Sequence, residues 1–364
     1  MDMETLGWNS FFQQHLDQLS DKEAIPGRII RESKNLYQVY SEEGELMAEI
    51  SGKMRYEAQD ASTFPTVGDW VALKTRPGED RATIINLLPR QSKFSRKAVL
   101  SGGVPGSGGK TEEQVLAANI DTVFLVSGLD HDFNLRRIER YLSIAWDSGA
   151  APVIILNKAD LCDDIDSRRA EVEEVAFGVP LLTVSALDKT GLVSLEEYLM
   201  PGKTSVFLGS SGVGKSTIIN SLTGIELLKT APLRESDQRG KHTTTHRELI
   251  LLPFGGAVID TPGLREIQIW LDNEGMENTF RDVMEFAEQC RFRDCSHSNE
   301  PGCAVLGAIE TGDLDEDRFQ SYLKLQLEMR HLSIRQNVKA RRQASKNFQK
   351  KIRRVQEERK KGLR

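Results

Sequence analysis

The chain has 364 residues, of which 39% are hydrophobic and 28% are charged, and its formal net charge is −6. This length allows roughly two or three domains of ordinary globular composition. No run of about 18 apolar residues occurs, so no transmembrane helix is predicted, and the N-terminal segment lacks the apolar core of a signal peptide. We therefore expect a cytoplasmic protein without a membrane partner.

Positive charge is concentrated at the C-terminal end of the sequence. Residues 335–364 contain 13 Lys or Arg and two Glu, a net charge of +11, so the remaining residues sum to −17. A basic tail on an acidic body favours contact with a polyanion such as RNA. The alternative is a solubilising tail that binds nothing.

The first 95 residues are predicted to form a helical extension, residues 1–23, followed by a small β-domain, residues 24–95. Five short segments of alternating hydrophobicity lie in the β-domain and are separated by turn-prone stretches. Five strands in about 70 residues favour an OB-type barrel over other small β-domains, and such barrels can bind nucleic acid. We expect an OB-fold RNA-binding domain.

The remaining sequence changes character three times. Residues 96–111 are rich in Gly and Ser and are predicted to be a linker. In residues 112–275 short apolar strands alternate with helical segments, which is typical of a parallel α/β sheet. We expect a mainly helical domain over residues 276–340 and a basic tail over residues 341–364.

The segment Gly209–Ser216 matches the phosphate-binding pattern GxxxxGK[ST] between an apolar strand and a helical segment. Glycines let successive backbone N–H groups face the phosphates, and the following helix adds a favourable dipole. Lys215 is expected to reach the β- and γ-phosphates, and the Ser216 hydroxyl to bind Mg²⁺. The predicted nucleotide-binding residues of this loop are Gly209, Ser210, Ser211, Gly212, Val213, Gly214, Lys215, Ser216 and Thr217.

Guanine recognition is predicted from the NKxD pattern, which here runs from Asn157 to Asp160. The Asp160 carboxylate can accept two hydrogen bonds from guanine, which adenine cannot donate in the same arrangement. Asn157 would support the loop and contact guanine N7, and the Lys158 stem would cover the base plane. Ser185 and Ala186, after the next strand, form a further base-loop candidate.

The DxxG pattern Asp260–Gly263 closes the last apolar strand of this region. Asp260 would hold Mg²⁺ through water, and the Gly263 N–H would meet the γ-phosphate. Thr244 lies in a polar stretch before this strand and is our candidate for a switch threonine that binds Mg²⁺. The Gln that many GTPases place after DxxG is replaced by Leu264, so His242 is the candidate catalytic residue; an exposed loop histidine is the alternative.

The order of these motifs is unusual. NKxD and Ser185–Ala186 precede the phosphate loop, whereas typical small GTPases have the reverse order. A sheet assembles equally well when its chain ends move to another loop. The order resembles that of the circularly permuted GTPases, and the predicted fold is a multidomain α/β protein with a permuted P-loop GTPase domain.

Four potential metal ligands fall within 14 residues near the C-terminal region: Cys290, Cys295, His297 and Cys303. Three thiols and one imidazole suit a tetrahedral structural Zn²⁺, with no position left for a reactive water. Three free cysteines beside a surface histidine are the alternative.

Together these features resemble the ribosome small-subunit-dependent GTPase A family over essentially the whole chain. The segments Pro65–Trp70 and Ala117–Asp121 contribute to the resemblance, beside the permuted motifs and the Cys₃His cluster. It implies a GTPase that acts late in small-subunit maturation, contacts ribosomal RNA near the decoding region, and is stimulated by the subunit. It also implies that His242 is the catalytic residue. We expect a monomer that binds GTP and GDP.

Two other functions remain open at this point. The chain could be an RNA-anchored scaffold in which GTP sets conformation and turnover is incidental. It could also be a P-loop ATPase or kinase, and Asp160 argues against that class because it selects guanine.

Overall fold

A computed structural model describes residues 2–33, 36–58, 60–76, 78–99, 111–226, 228, 247–260 and 273–330. The chain divides into two compact units, one of residues 1–97 and 113–281, the other of residues 98–112 and 282–364. Among the described residues, no helix is both long and apolar enough to cross a membrane. The predicted basic tail lies outside the described residues.

The first unit begins with helix α1 (Ser10–Asp17), whose N-terminus is capped by the Asn9 side chain. Aromatic side chains of this segment pack on the barrel that follows. The Trp8 ring lies 4.9 Å from the Trp70 ring, and the Phe12 ring lies 5.7 Å from it. The extension therefore has its own apolar contact with the fold.

A closed five-stranded barrel follows the extension, and it confirms the predicted OB-type domain. Its strands pair in the order β1-β2-β3-β5-β4, and β4 returns to pair with β1. Helix α2 (Gly52–Glu57) stands between the third and fourth strands. The five strands are β1 (Ile25–Ser33), β2 (Leu36–Ser41), β3 (Gly44–Ile50), β4 (Trp70–Thr75) and β5 (Arg81–Leu87).

A two-stranded ribbon, β6 (Lys93–Val99) with β7 (Thr111–Ala118), connects the barrel to the α/β region. The predicted linker of residues 96–111 overlaps the ends of both strands, and residues 100–110 lie outside the described residues. The sequence analysis did not anticipate this ribbon.

The α/β region has a mostly parallel sheet in the order β10-β9-β8-β11-β13-β12. Only β12 runs antiparallel, and it forms with β13 the hairpin that the turn at Pro253–Gly256 indicates. The strands are β8 (Thr122–Gly128), β9 (Ala151–Asn157), β10 (Leu181–Thr183), β11 (Thr204–Leu208), β12 (Glu248–Leu251) and β13 (Ala257–Asp260). The helices are α3 (Leu135–Ser148), α4 (Ile165–Val175), α5 (Lys215–Thr223) and α6 (Asn273–Thr279).

The barrel and the α/β region share one sheet of 11 strands, because β1 pairs with β12 at Arg31 and Glu248. Beside this pairing, the Arg247 guanidinium lies 3.9 Å from the Glu32 carboxylate. Burial raises the pKa of Glu32, although the charge of Arg247 opposes this effect. The two regions are therefore joined by backbone hydrogen bonds as well as by side chains.

The two short segments that carried part of the family resemblance contact each other in the structure. Gly68 has φ of +89°, and a Cβ atom there would lie 2.1 Å from the Ala118 carbonyl oxygen. The Asn119 side chain donates to the Gly68 carbonyl oxygen at 3.1 Å. Nearby, buried Asp69 forms an ion pair with Arg90 at 2.7 Å. These residues fix the barrel against the entry to β8.

The second unit contains most of α7 (Arg281–Glu288), then α8 (Ala304–Thr311) and a helix over residues 316–330. The Arg318 guanidinium makes two hydrogen bonds to the Asp282 carboxylate, at 2.5 and 2.8 Å. This bidentate pair ties the last described helix to α7. The mainly helical character predicted for the region is confirmed for its described residues.

Candidate nucleotide and metal sites

The phosphate loop lies between β11 and α5, as its pattern predicts. Gly214 precedes α5 with φ of +102°, and a Cβ atom there would lie 2.2 Å from the Asn157 side-chain nitrogen. Glycine is therefore required both by the backbone conformation and by the close approach of Asn157. The Lys215 ammonium donates to the carbonyl oxygens of Gly209 and Ser210 at 2.8 and 2.6 Å. It thus lies within the loop that is predicted to bind phosphates.

Asn157 connects the base-recognition loops to the phosphate loop. Its buried side-chain amide donates to the Val213 carbonyl oxygen at 2.9 Å, and its oxygen accepts from the Ala186 N–H at 3.1 Å. One side chain thus holds three motifs that are separated in the sequence. These motifs follow parallel strands and therefore lie at one edge of the sheet, where ligands of α/β proteins bind, despite the permuted chain order.

The base-recognition loop has a strained backbone at Lys158, whose φ is +66°. Non-glycine residues rarely adopt this left-handed conformation, and such outliers are concentrated at functional sites. The Asp160 carboxylate accepts a hydrogen bond from the Ser185 hydroxyl at 2.5 Å. The Ser185 oxygen in turn accepts from the Asp188 N–H at 3.1 Å. The carboxylate predicted to read guanine is therefore oriented by Ser185, which is itself held by the Asp188 backbone.

A small cavity separates the phosphate loop from the end of β13. Gly209, Lys215, Ser216 and Asp260 are among its lining residues. Two of the residues predicted to bind Mg²⁺, Ser216 and Asp260, therefore line the same cavity. Three other predicted site residues, His242, Thr244 and Gly263, lie outside the described residues.

Two carboxylates that the sequence analysis missed also contact the site. They belong to the loop after β8. The Asp130 carboxylate lies 2.6 Å from the Lys158 ammonium, and the Asp132 carboxylate accepts from the Ser210 hydroxyl at 2.5 Å. Arg137 pairs with Asp132 at 2.7 Å. Their position after a parallel strand was the available signal, since β8 ends at the same edge as β9 and β11.

The environment of these carboxylates favours their charged forms. Burial alone would raise the pKa of Asp130, but hydrogen bonds from Lys158 and from the Asp132 N–H outweigh it and lower the pKa. Burial likewise opposes ionisation of Asp132, and the hydrogen bonds from Ser210 and Arg137 lower its pKa. Both groups are therefore anions at neutral pH.

The four predicted metal ligands form a compact cluster in the second unit. Their ligand atoms all lie within 4.8 Å of one another. Cys290 Sγ lies 3.6 Å from His297 Nδ1 and 3.9 Å from Cys303 Sγ, and His297 Nδ1 lies 3.4 Å from Cys303 Sγ. A tetrahedral Zn²⁺ with Zn–S bonds of about 2.3 Å requires ligand separations of roughly 3.4–3.8 Å. The donor set fits a structural metal, and the separations among Cys290, His297 and Cys303 are close to those that a tetrahedral ion requires, although the full cluster extends to 4.8 Å.

The loop that carries two of these ligands is held by a single carboxylate. Glu300 accepts from the backbone N–H groups of Ser296 and Ser298 at 3.0 and 2.9 Å. The hydrogen bond from the Ser296 hydroxyl, together with these backbone bonds, lowers the pKa of Glu300 to about 2. His297, inside the loop, has φ of +55°. Glu300 therefore stabilises the turn that brings His297 towards the cysteines.

Comparison with known proteins gives consistent matches. A family model described as RsgA GTPase matches residues 87–270. The small ribosomal subunit biogenesis GTPase RsgA 2 of Lactiplantibacillus plantarum is 47% identical over 310 residues, which cover 85% of each chain. The small ribosomal subunit biogenesis GTPase RsgA of Opitutus terrae is 44% identical over 344 residues, or 92% of each chain.

Solved structures agree with these sequence matches. The crystal structure of YjeQ from Thermotoga maritima is 29% identical, with a TM-score of 0.62, and the match covers 84% of this chain and 98% of that chain. The circularly permuted GTPase YloQ is 23% identical, with a TM-score of 0.60 over 86% and 97% of the two chains, and supports the fold alone. The chain is a GTP hydrolase with a circularly permuted α/β domain, and it belongs to the RsgA GTPase family.

Proposed function

We propose that this protein binds the small ribosomal subunit and acts late in its maturation, hydrolysing GTP to GDP and phosphate with stimulation by the subunit. The observation that carries the proposal is the joining of three nucleotide motifs by Asn157 in a protein whose barrel shares the same sheet. Curated relatives named for small ribosomal subunit biogenesis support the choice of partner.

In this proposal the base-recognition loops select guanine. Asp160, oriented by Ser185, accepts from the guanine ring N–H and amino groups. The Ala186 N–H, which donates to Asn157 Oδ1 in the structure, is proposed to be shared with the guanine oxygen when the base is bound. Asn157 holds the loop, and the Lys158 stem lies over the base plane. The phosphate loop binds the phosphates through the backbone of residues 209–217 and through Lys215.

Ser216, Thr244 and Asp260 are proposed to hold the Mg²⁺ that accompanies GTP and neutralises charge on the β- and γ-phosphates. His242 is proposed to orient the attacking water, and the Gly263 N–H to contact the γ-phosphate. Ser216 and Asp260 line one cavity, which supports their shared assignment.

The flanking regions are proposed to bind RNA. The predicted division assigns RNA contact to the barrel, residues 24–95, and to the basic tail, residues 341–364. Cys290, Cys295, His297 and Cys303 are proposed to hold one Zn²⁺, which would fold the region between residues 276 and 340. The protein is proposed to be a monomer in the cytoplasm, with GTP, GDP and ribosomal RNA as its partners and no membrane partner.

The decisive experiment measures GTP hydrolysis by the purified protein alone, with small ribosomal subunits, and with large subunits as the control. Stimulation by small subunits alone is the expected result. Binding of GTP with turnover that small subunits do not change would overturn the proposed mechanism. That outcome would favour the alternative, an RNA-anchored scaffold with incidental turnover.

Base selection needs its own test. Asp160→Asn is expected to shift preference from GTP towards xanthosine triphosphate, because the xanthine oxygen accepts where guanine donates. An unchanged preference in this variant would contradict the assignment of Asp160.

A further inference from the structure

A five-residue loop, Leu129–Phe133, lies directly after β8 and is called the clamp loop below. Two of its carboxylates contact the two ends of the proposed nucleotide site. Asp130 Oδ2 lies 2.6 Å from Lys158 Nζ in the base-recognition loop. Asp132 Oδ2 lies 2.5 Å from Ser210 Oγ in the phosphate loop. Neither carboxylate belongs to the nucleotide-binding patterns identified in the sequence.

The clamp loop is itself held in place by backbone hydrogen bonds. The Leu129 N–H donates to the Asn157 carbonyl oxygen at 2.8 Å, which fixes the start of the loop to the base-recognition strand. The Asp132 N–H donates to the Asp130 carboxylate at 3.2 Å, and the Phe133 N–H donates to the Asp130 carbonyl oxygen at 3.0 Å. The two carboxylates therefore project from a loop with a defined shape.

The contact at the base differs from an ordinary surface ion pair in its burial, and the contact at the phosphate loop differs in its charge balance. The Asp130 side chain is 11% exposed and the Lys158 side chain 21%, so solvent screens their attraction less than at a fully exposed site. Arg137 neutralises Asp132 at 2.7 Å, so the hydroxyl of the phosphate loop gains an acceptor without an uncompensated negative charge near the phosphates. Both contacts can therefore order the site without repelling the nucleotide.

We propose that Asp130 and Asp132 are positioning residues for GTP and GDP. Asp130 holds the Lys158 ammonium so that the lysine stem covers the guanine plane. Asp132 holds the Ser210 side chain so that the phosphate loop is ordered before nucleotide binds. The inference rests on the proposed nucleotide site and adds to it the means by which its two ends are fixed. Preorganisation of this kind strengthens binding because less freedom is lost in the complex.

The contact at the base is tested by a double-mutant cycle with fluorescently labelled GDP. Asp130→Asn should weaken binding about five- to tenfold in the otherwise unchanged protein, because it replaces the ion pair with a weaker hydrogen bond from Lys158 to a neutral amide. Lys158→Met keeps the apolar stem and removes the ammonium, so Asp130→Asn should cause no further loss in that variant. Equal losses in both backgrounds would overturn the proposal for Asp130.

The contact at the phosphate loop is tested by a second cycle. Asp132→Ala should weaken labelled-GDP binding about fivefold, and should have no effect when Ser210 is already Ala. Asp132→Asn keeps an acceptor oxygen and should retain most of the affinity. An equal loss for Asp132→Asn and Asp132→Ala, or the same loss in the Ser210→Ala variant, would overturn the role of Asp132.

The controls separate this inference from the site on which it rests. Glu113→Gln removes a carboxylate that pairs with Lys93 at 2.8 Å elsewhere in the fold, and binding should be unchanged. Melting temperatures show whether each variant is folded. Failure of the unmodified protein to bind labelled GDP would overturn the proposed nucleotide site. If the unmodified protein binds labelled GDP but the paired mutations in each cycle have additive effects on the Kd, the positioning roles are overturned and the nucleotide site stands.

Discussion

Replacement of Asn157 by Ala should uncouple the base-recognition loop from the phosphate loop and from Ala186, which are themselves left unchanged. The change removes the hydrogen bond to the Val213 carbonyl oxygen and the one from the Ala186 N–H. Both partner residues are buried, at 1% and 4% exposure. Each buried polar group left without a partner costs about 1–2 kcal/mol, so the loss is about 2–4 kcal/mol in total. Part of this penalty will appear in folding and part in nucleotide binding.

The binding part is measured by titration with labelled GDP. If the whole penalty of about 2–4 kcal/mol falls on the nucleotide-bound state, the Kd rises roughly 30- to 1,000-fold. The increase is smaller to the extent that the penalty also appears in folding. Asn9→Ala is the matched control, because Asn9 also makes two side-chain hydrogen bonds, to the N–H groups of Phe11 and Phe12. It should lower the melting temperature without changing the Kd. A Kd for Asn157→Ala within threefold of the unmodified value would refute the bridging role.

Three further predictions concern stability, the metal and pH. Gly68→Ala should lower the free energy of unfolding by about 2–5 kcal/mol in urea titrations, because the new Cβ atom meets both a positive φ and the Ala118 carbonyl oxygen. Gly44→Ala is the control and should cost less, because Gly44 has a positive φ but no atom within 4 Å of the added Cβ. Equal costs would contradict the close approach at Gly68. The purified protein should release one Zn²⁺ to a strong chelator. Cys303→Ser should reduce the metal content, whereas the control Cys162→Ser should leave it unchanged. Retention of the metal by Cys303→Ser would contradict the ligand set. Asp130 and Asp132 have lowered pKa values in the folded state, so their stabilisation is present above the unfolded pKa near 4 and is lost as pH falls through the folded values. We compare the free energy of unfolding of the unmodified protein with that of the double variant Asp130→Asn/Asp132→Asn. The difference should be at most about 1 kcal/mol at pH 7 and should shrink below about pH 4. A difference that grows below pH 4 would contradict the ion pairs.

Features encoded within a short stretch of sequence were predicted well. The phosphate loop needs eight consecutive residues, Gly209–Ser216, and its flanking strand and helix are adjacent in the chain. The five barrel strands were recognisable because alternating hydrophobicity and turn residues are local properties. The four residues of the Cys₃His cluster also lie within one short segment, and their ligand atoms lie within 4.8 Å of one another.

Features that depend on distant residues were not predicted. Arg28 illustrates the reason, since a charged side chain in an alternating strand is expected to face solvent. Instead it is buried, and its guanidinium donates to the carbonyl oxygens of Leu6 and Asn119 and lies 5.3 Å from the Trp70 ring. Burial lowers the pKa of Arg28 to about 10. Its carbonyl partners are backbone atoms that any residue could supply, so no sequence pattern announces them.

The clamp loop and the β1–β12 pairing escaped prediction for the same reason. Asp130 and Asp132 are ordinary loop residues in the sequence, and only the fold places them beside Lys158 and Ser210. Backbone pairing between strands far apart in the chain carries no side-chain signature. Local sequence thus predicted the chemical groups of the site, whereas the contacts that hold them required the structure.

The pairing of β1 with β12 has a consequence for dissecting this protein into fragments. β12 is a four-residue strand, Glu248–Leu251, that pairs with β13 on one side and with the barrel on the other. Removal of the barrel would take away the backbone partner of Glu248, and also Ile30 and Val67, which belong to the same apolar core as Leu249. A fragment lacking the barrel would therefore expose the outer edge of β12 together with part of this core, and it would be expected to aggregate because exposed edge strands invite self-association.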